Sequence, residues 1–216
     1  MSANSISAKS DPLCAKIFGI SRHRMATDGN GVTTLVGFHG CPLSCAYCLN
    51  PQCKSEKSRK YTVPELYDAL KLDDLYFLAT GGGVTFGGGE PLLFADFIKA
   101  FIRYAAARSE WSFMLETSLS VALDEETIDF FMENIGLFLV DIKDASPEIY
   151  RRYTNGDASL ALSNLEKMAR RDSSKIIVRL PLIPEYNSPE DVDCSENALR
   201  KLGLTRFNRF TYKTGR

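Results

Sequence analysis

Short apolar runs alternate along the chain with amphipathic stretches in which apolar residues recur at intervals of three and four. The apolar runs have the length of strands and few polar interruptions, as is typical of a sheet covered on both faces. This alternation predicts βα units and a parallel sheet. The expected strands are Thr33–His39, Gly83–Phe86, Ser112–Thr117, Leu137–Lys143, Lys175–Leu182 and Arg206–Tyr212. The expected helices are Val63–Leu72, Pro91–Arg108, Asp124–Asn134, Leu160–Arg170 and Pro189–Leu202.

A (β/α) series closes into a barrel when it has about eight strands. The six apolar runs of this sequence therefore predict an open, partial (β/α)6 barrel of the TIM type, an α/β fold in a single domain over residues 1–216. The Ser-rich residues 1–15 are expected to form a flexible N-terminal extension. An open barrel would admit something larger than a metabolite at the carboxyl ends of its strands, where such folds place their chemistry.

Composition and charge narrow the class of protein. Of 216 residues, 44% are hydrophobic and 25% charged, which is typical of a globular chain. The formal net charge of -1 offers no polybasic field, so neither a nucleic acid nor a membrane is expected as a partner. No apolar run approaches the roughly 20 residues that span a bilayer, and the N-terminus lacks the pattern of a secretory signal. A cytoplasmic protein is the expectation.

Four of the six cysteines lie close together, directly after the first expected strand. Cys41, Cys45 and Cys48 form a CxxxCxxC loop, and Cys53 follows it. Such clustering indicates metal or redox chemistry instead of a disulfide framework. Soft thiolates select zinc, copper(I) or iron–sulfur clusters, and a [4Fe-4S] cluster normally takes four of them. Three thiolates would leave one iron open to a small ligand, whereas a fourth from Cys53 would give a structural zinc site or a closed electron-transfer cluster; the spacing leaves both open.

Glycines surround the second expected strand. They occupy positions 81–83 and 87–89, and the run ends in Glu90. Glycine at a strand end lets the backbone approach a ligand closely, although ordinary turns use glycine as well.

Charged and polar residues follow at the ends of the next strands. Glu116 and Thr117 end the third strand, and Asp141 and Lys143 alternate on one face at the end of the fourth. Arg179 interrupts an apolar strand, so its guanidinium needs a buried partner, either a bound cofactor or an interior ion pair. For the carboxylates, a salt bridge at a strand end is the alternative to a ligand site.

Together these motifs resemble the radical S-adenosylmethionine (SAM) superfamily, whose hallmark is CxxxCxxC with an aromatic residue before the last cysteine, here Tyr47. Within it, the chain resembles the activating enzymes of glycyl-radical enzymes, the pyruvate formate-lyase activase group. The similar segments follow the family's order at residues 28–32, 39–51, 82–91, 116–117, 139–143, 153–156 and 178–184. The resemblance implies that Cys41, Cys45 and Cys48 hold a [4Fe-4S] cluster.

The resemblance also implies contacts to SAM. The GGE loop, here Gly88, Gly89 and Glu90, binds the methionine ammonium in this family, through backbone oxygens and one carboxylate. Tyr47 is expected at the same cofactor site.

The resemblance implies three further residues near the carboxylate, ribose and adenine of SAM. Lys143 would pair with its carboxylate or ribose, while Arg179 and Pro181 would border the ribose and adenine.

A monovalent cation, Na⁺ or K⁺, is implied beside the SAM carboxylate. Its ligands would be Glu116, Thr117 and Asp141 with a backbone carbonyl of the fourth strand, and Thr117 and Asp141 would thereby belong to the cofactor site as well. Glu116 stands where the family usually has Asp, a departure that would reshape this site.

The implied function is that of a radical SAM oxidoreductase. It would cleave SAM reductively to a 5'-deoxyadenosyl radical and generate a glycyl radical on a partner enzyme, under anaerobic conditions. Because the radical derives from SAM, no catalytic side chain is assigned. The expected partners are a glycyl-radical enzyme as protein substrate and a flavodoxin-like or ferredoxin-like reductant. The alternatives are a radical SAM enzyme acting on a small molecule or peptide, and a closed-cluster electron carrier or zinc-binding module.

Overall fold

One eight-stranded sheet organises the residues that this computed structural model describes, 13–25 and 27–212. Its strands are β1 Cys14–Met25, β2 Val32–Phe38, β3 Arg59–Thr62, β4 Gly83–Gly88, β5 Ser112–Thr117, β6 Leu137–Asp141, β7 Ile176–Leu182 and β8 Phe207–Thr211. Their spatial order is β3-β1-β2-β4-β5-β6-β7-β8. From β2 to β8 every pair is parallel, whereas β1 and β3 add to the β2 edge in antiparallel pairing.

The expected open barrel is confirmed, and all six predicted strands are present in the parallel part of the sheet. The sheet runs from β3 to β8, which do not pair with each other within the described residues. Of the expected N-terminal extension, residues 1–12 lie outside the described residues, and Cys14 already begins β1.

The two antiparallel strands are absent from the prediction. In β1 buried and exposed positions largely alternate, so its sequence lacks the continuous apolar run that marks the other strands. β3 contains only Arg59–Thr62 and has no fully buried residue. The six-strand count is therefore wrong for the whole sheet, because these two more polar strands lack a continuous apolar run.

Seven helices occur among the described residues, and five were expected. They are α1 Val63–Leu70, α2 Asp74–Thr80, α3 Ala95–Ala106, α4 Glu125–Asn134, α5 Pro147–Thr154, α6 Ala158–Asp172 and α7 Pro189–Arg200. Capping boxes begin α1 and α7, at Thr62 with Glu65 and at Ser188 with Asp191. The short helices α2 and α5 were missed, and Asn155, in the left-handed conformation (φ 56°), caps the end of α5 shortly before α6 begins. None of the described helices has the length and apolar character that crossing a membrane requires.

The main core lies between the sheet and its helices and is rich in aromatic rings. Phe86 of β4 stacks on Phe113 of β5 with ring centroids 6.0 Å apart and meets Phe101 of α3 edge-on at 5.8 Å. All three side chains are buried. Because this packing covers one face of β4 and β5, it fixes where the carboxyl ends of these strands lie.

Glycines let β4 lie between its neighbours. A Cβ atom on Gly82 would lie 1.8 Å from the carbonyl oxygen of Val32, and one on Gly83 would lie 2.0 Å from that of Ser112. Neither obstacle is a side chain that could rotate away. Any larger residue would therefore force the backbones apart.

We expect Gly82→Ala to lower the free energy of unfolding by about 1–3 kcal/mol, since an added methyl group must displace backbone. Urea unfolding of both proteins measures this difference. Gly19→Ala in β1 is the control: no atom lies within 4 Å of its Cβ position, and the change should stay within about 0.5 kcal/mol. Equal losses in the two variants would contradict the close approach at β4.

Candidate functional site

A cavity of about 460 Å³ lies at the carboxyl ends of the parallel strands. The cysteine loop, the ends of β4, β5 and β6, and residues of β7 and β8 form its walls. It is lined by the predicted site residues Cys41, Cys45, Tyr47, Cys48, Gly88, Gly89, Glu116, Thr117, Asp141, Lys143 and Arg179. Glu90 and Pro181 are not among the lining residues. The structure thus brings most of the predicted site together around one space.

The end of α5 holds the cysteine loop in place. Backbone amides of Ser44 and Ala46 donate to the carbonyl oxygens of Thr154 and Tyr153 at 2.7 and 3.1 Å. A Cβ atom on Gly156 would lie 2.4 Å from Leu43, so the chain after α5 passes directly against the loop. The prediction identified residues 153–156 only by resemblance, and the structure shows their physical role.

Cys41 and Cys45 are partly buried in the cavity wall, and Cys48 is exposed. Burial raises the pKa of the Cys41 thiol above its ordinary value and that of Cys45 to about 11. A thiolate at either position therefore needs a positive partner, which a bound metal supplies. No three His, Cys, Asp or Glu side chains of the described residues surround a point where a single metal ion would bind. An iron–sulfur cluster requires no such point because each thiolate binds a different iron, and three thiols at one cavity fit that arrangement.

Cys53 lies on the same cavity as the three loop cysteines and is buried. Its carbonyl oxygen accepts from the amide of Gly40 at 2.7 Å, which ties it to the start of the loop. Burial raises the pKa of its thiol to about 11. From the sequence, Cys53 could be a fourth thiolate ligand beside the three loop cysteines. The structure places it on the same cavity, so the Cys53→Ser variant decides between three and four ligands.

The glycine-rich end of β4 faces the cavity with bare backbone. Gly88 has a φ of +95°, and a Cβ atom there would lie 2.7 Å from Gly37. A Cβ atom on Gly89 would lie 2.1 Å from the carbonyl oxygen of Gly40. Amides of Gly89 and Glu90 donate to Phe38 and Gly40, at 3.0 and 2.8 Å, and so join this loop to the cysteine loop.

The structure places Glu90 behind the cavity wall. Its carboxylate is fully buried and accepts from the hydroxyls of Thr117 and Ser118, both at 2.6 Å, and from the amides of Ser118 and Leu92 at 2.9 and 3.2 Å. Burial raises its pKa although these groups donate to it. The carboxylate was expected to meet a ligand, and here it ties the GGE loop to the end of β5.

Pro181 is buried in β7 and is not among the residues that line the cavity. Its carbonyl oxygen accepts from the side-chain amide of Asn187 at 3.1 Å.

A connected series of ion pairs joins the ends of β5, β6 and β7. Arg179 donates to Asp141 at 2.8 and 3.1 Å and pairs with Glu116 at 3.4 Å. Lys143 pairs with Asp141 at 3.5 Å and donates to the Tyr212 hydroxyl at 3.3 Å. Burial alone would raise the pKa of Asp141, but Lys143 and Arg179 outweigh it and lower that pKa. Burial raises the pKa of Glu116, which Arg179 only partly offsets.

Arg24 extends this row of charges from β1 and was missed by the sequence analysis. It lines the cavity, donates to the buried Asp28 at 2.9 Å and lies 3.8 Å from Glu116. Because β1 itself was not predicted, nothing in the sequence placed Arg24 near the other charges. Asn208, Phe210 and Tyr212, at the β8 side of the cavity, were likewise not assigned.

The fold and this cavity place the chain in a known family. The family model of the radical SAM superfamily matches residues 35–193, so the chain belongs to that superfamily. It is 33% identical to the (2S)-3-sulfopropanediol dehydratase activating enzyme of Klebsiella oxytoca, over 79% of this chain and 72% of that protein. It is 31% identical to the pyruvate formate-lyase-activating enzyme of Staphylococcus aureus, over 76% of this chain and 67% of that protein. The resemblance to radical SAM activating enzymes inferred from the sequence is confirmed.

Among solved structures, the radical S-adenosylmethionine methyltransferase TsrM of Kitasatospora setae has a similar fold. The TM-score is 0.63 at 16% sequence identity, over 85% of this chain and 37% of that chain. This chain therefore spans well under half of the longer protein, and the likeness concerns the fold alone.

We expect Asp141→Asn to lower the free energy of unfolding by about 1–3 kcal/mol at neutral pH, because Arg179 and Lys143 lose their shared partner in a partly exposed site. The pKa of Asp141 lies below its ordinary value of 3.8, so its contribution is present above that value and is lost as the pH falls through the lower pKa. The stability gap between variant and wild type should hold down to about pH 4 and shrink below it.

Denaturant unfolding across this pH range measures the gap. Asp68→Asn, at an exposed position of α1, is the control and should change stability by no more than about 0.5 kcal/mol. A gap that widens on acidification would show that Asp141 is not held ionised by Lys143 and Arg179.

Proposed function

We propose that this chain is an activase that binds a [4Fe-4S] cluster and SAM in the cavity and generates a glycyl radical on a partner enzyme. One observation carries the proposal: the CxxxCxxC loop, the bare backbone of the GGE loop and the charged ends of β5 to β7 surround a single cavity. Membership of the radical SAM superfamily and the kinship with two activating enzymes support it.

Cys41, Cys45 and Cys48 are the proposed cluster ligands. Three ligands would leave one iron without a protein thiolate, and that iron would be the place for SAM. When bound, the cluster would supply one electron and SAM its 5'-deoxyadenosyl group, the chemistry by which a hydrogen atom would be taken from a glycine Cα of the partner. A flavodoxin-like or ferredoxin-like protein is the proposed source of the electron.

The chain's own residues bind and orient SAM in this proposal. The backbone of Gly88 and Gly89 would offer carbonyl oxygens to the methionine ammonium, and the Gly88 carbonyl also accepts from the side-chain amide of Asn50 at 2.9 Å. Lys143 and Arg179 line the cavity with positive charge suited to the carboxylate and ribose. Tyr47 lines the wall within the cysteine loop.

In this proposal Glu90 and Pro181 do not contact SAM directly. Glu90 is a positioning residue: by accepting from Thr117 and Ser118, it holds the GGE loop against the end of β5. Pro181 is buried in β7, two residues after Arg179.

A glycine of a partner protein suits this cavity. Glycine has no side chain to block approach to its Cα, and the flanking amide groups stabilise a radical there. At a net charge of -1 the chain provides little long-range attraction, so recognition would depend on local shape and main-chain hydrogen bonds. The partner's loop must leave its own core to reach the cavity, so it should unfold locally when bound.

The cluster assignment predicts that Cys48→Ser loses the cluster whereas Cys53→Ser keeps it. After anaerobic reconstitution, wild type and Cys53→Ser should each hold about four irons and four sulfides per chain. Addition of SAM should change the EPR spectrum of both reduced proteins. If Cys53→Ser loses the cluster and Cys48→Ser retains it, the assignment of Cys41, Cys45 and Cys48 as the cluster ligands is wrong.

The activase assignment predicts a long-lived EPR doublet when the reduced protein and SAM are incubated with a glycyl-radical enzyme. A peptide copying the glycine loop should raise 5'-deoxyadenosine formation roughly tenfold above background. Cys48→Ser protein, which lacks the cluster, is the control and should give neither signal. If a small metabolite, but neither protein nor peptide, stimulates 5'-deoxyadenosine formation, the chain is a radical SAM enzyme of the small-molecule class.

A further inference from the structure

Arg179 lies between the two carboxylates that the family resemblance assigns to a monovalent cation. Its Nη2 and Nε donate to the two oxygens of Asp141, at 2.8 and 3.1 Å. Its Nη1 pairs with Oε1 of Glu116 at 3.4 Å. Arg179 and Asp141 are direct partners in the pairing of β6 with β7, so the sheet register itself sets this placement.

The carboxylate oxygens are directed at further protein cations. Oδ1 of Asp141 also lies 3.5 Å from the Lys143 ammonium, and Oε1 of Glu116 lies 3.8 Å from the Arg24 guanidinium. A hard cation needs several oxygens aimed at one point. Here three of the four carboxylate oxygens face nitrogen donors instead.

The third expected ligand is also engaged. The Thr117 hydroxyl donates to the buried carboxylate of Glu90 at 2.6 Å and accepts from the amide of Leu119 at 2.9 Å. The residues as arranged therefore do not fit a Na⁺ or K⁺ site.

The two carboxylates nevertheless need positive charge beside them. The side chains of Glu116 and Asp141 are only 14% and 21% exposed, and two like charges in such a site repel each other. A guanidinium is charged at every working pH and presents a rigid fork of donors that matches carboxylates. Arg179 is thus a permanent cation at the place where a mobile one was expected.

We propose that the guanidinium of Arg179 replaces the monovalent cation in this chain, so that neither SAM binding nor the stability of the charged site depends on Na⁺ or K⁺. The part of the proposal that concerns SAM rests on the proposed function. The part that concerns stability does not.

The test compares KCl, NaCl and choline chloride at the same ionic strength, about 100 mM. Anaerobic thermal unfolding of the cluster-reconstituted protein gives Tm, and equilibrium dialysis gives the Kd of SAM. Wild type should show the same Tm and Kd in all three salts. Arg179→Met frees Oδ2 of Asp141 and leaves Oε1 of Glu116 beside Arg24 at 3.8 Å. This variant should gain roughly 3–6 °C in K⁺ or Na⁺ over choline, because a cation would then bind the released oxygens in the folded state alone.

The chain offers a matched control in Arg171. This guanidinium also lies between two carboxylates, those of Glu125 and Asp129, but their side chains are 60% and 55% exposed. Arg171→Met leaves hydrated carboxylates and should show no difference between the salts. Arg179→Lys keeps a positive charge at the cavity and should remain independent of the cation, like wild type.

A wild-type protein that gains Tm or SAM affinity in K⁺ or Na⁺ relative to choline overturns the proposal. So does a folded Arg179→Met protein that responds to neither ion. Should Arg179→Met fail to fold, wild type and Arg179→Lys decide the question by the same comparison. The proposed function and the role of Arg179 can fail separately. If wild type and Arg179→Met show the expected salt dependence of Tm but wild type never forms 5'-deoxyadenosine, the proposed function is refuted and the role of Arg179 is retained.

Discussion

The close approach of backbones at β4 is the constraint on which the site depends. Gly83 and Gly89 lie where a Cβ atom would come within about 2 Å of a neighbouring carbonyl oxygen, so only glycine permits this spacing. At one end of the strand the spacing allows pairing with β2 and β5. At the other it brings the GGE loop against Gly40, where the cysteine loop begins. The cysteine loop and the GGE loop therefore share one rigid support.

Electrostatic order at the cavity follows from the same sheet. Asp141 and Arg179 come from paired strands, Arg179 also pairs with Glu116 of β5, and Arg24 of β1 lies 3.8 Å from Glu116. Each charge has an opposite partner within the protein, so the site is arranged before any ligand binds. A polar cofactor such as SAM would meet oriented charges instead of having to organise them.

The parallel strands could be predicted because buried strands read as continuous apolar runs, and the cysteine loop because its spacing is specific. β1 was missed because its second half contains the polar run Ser21–Arg24, and Arg24 was missed with it. Glu90 was expected at the ligand, but local sequence cannot show that Thr117 and Ser118 would face its carboxylate from another strand. For Arg179 the sequence indicated a buried partner and left its nature open, and the register of β6 with β7 supplies Asp141.

The proposed function requires that the three loop cysteines and the GGE loop form one site, in which SAM would bind the cluster directly. Electron-nuclear double resonance of the reduced, reconstituted protein with SAM carrying ¹⁵N in its amino group tests this claim most directly. A ¹⁵N coupling to the cluster that disappears with unlabelled SAM is the predicted result. An intact reduced cluster that shows no coupling at saturating SAM would contradict it.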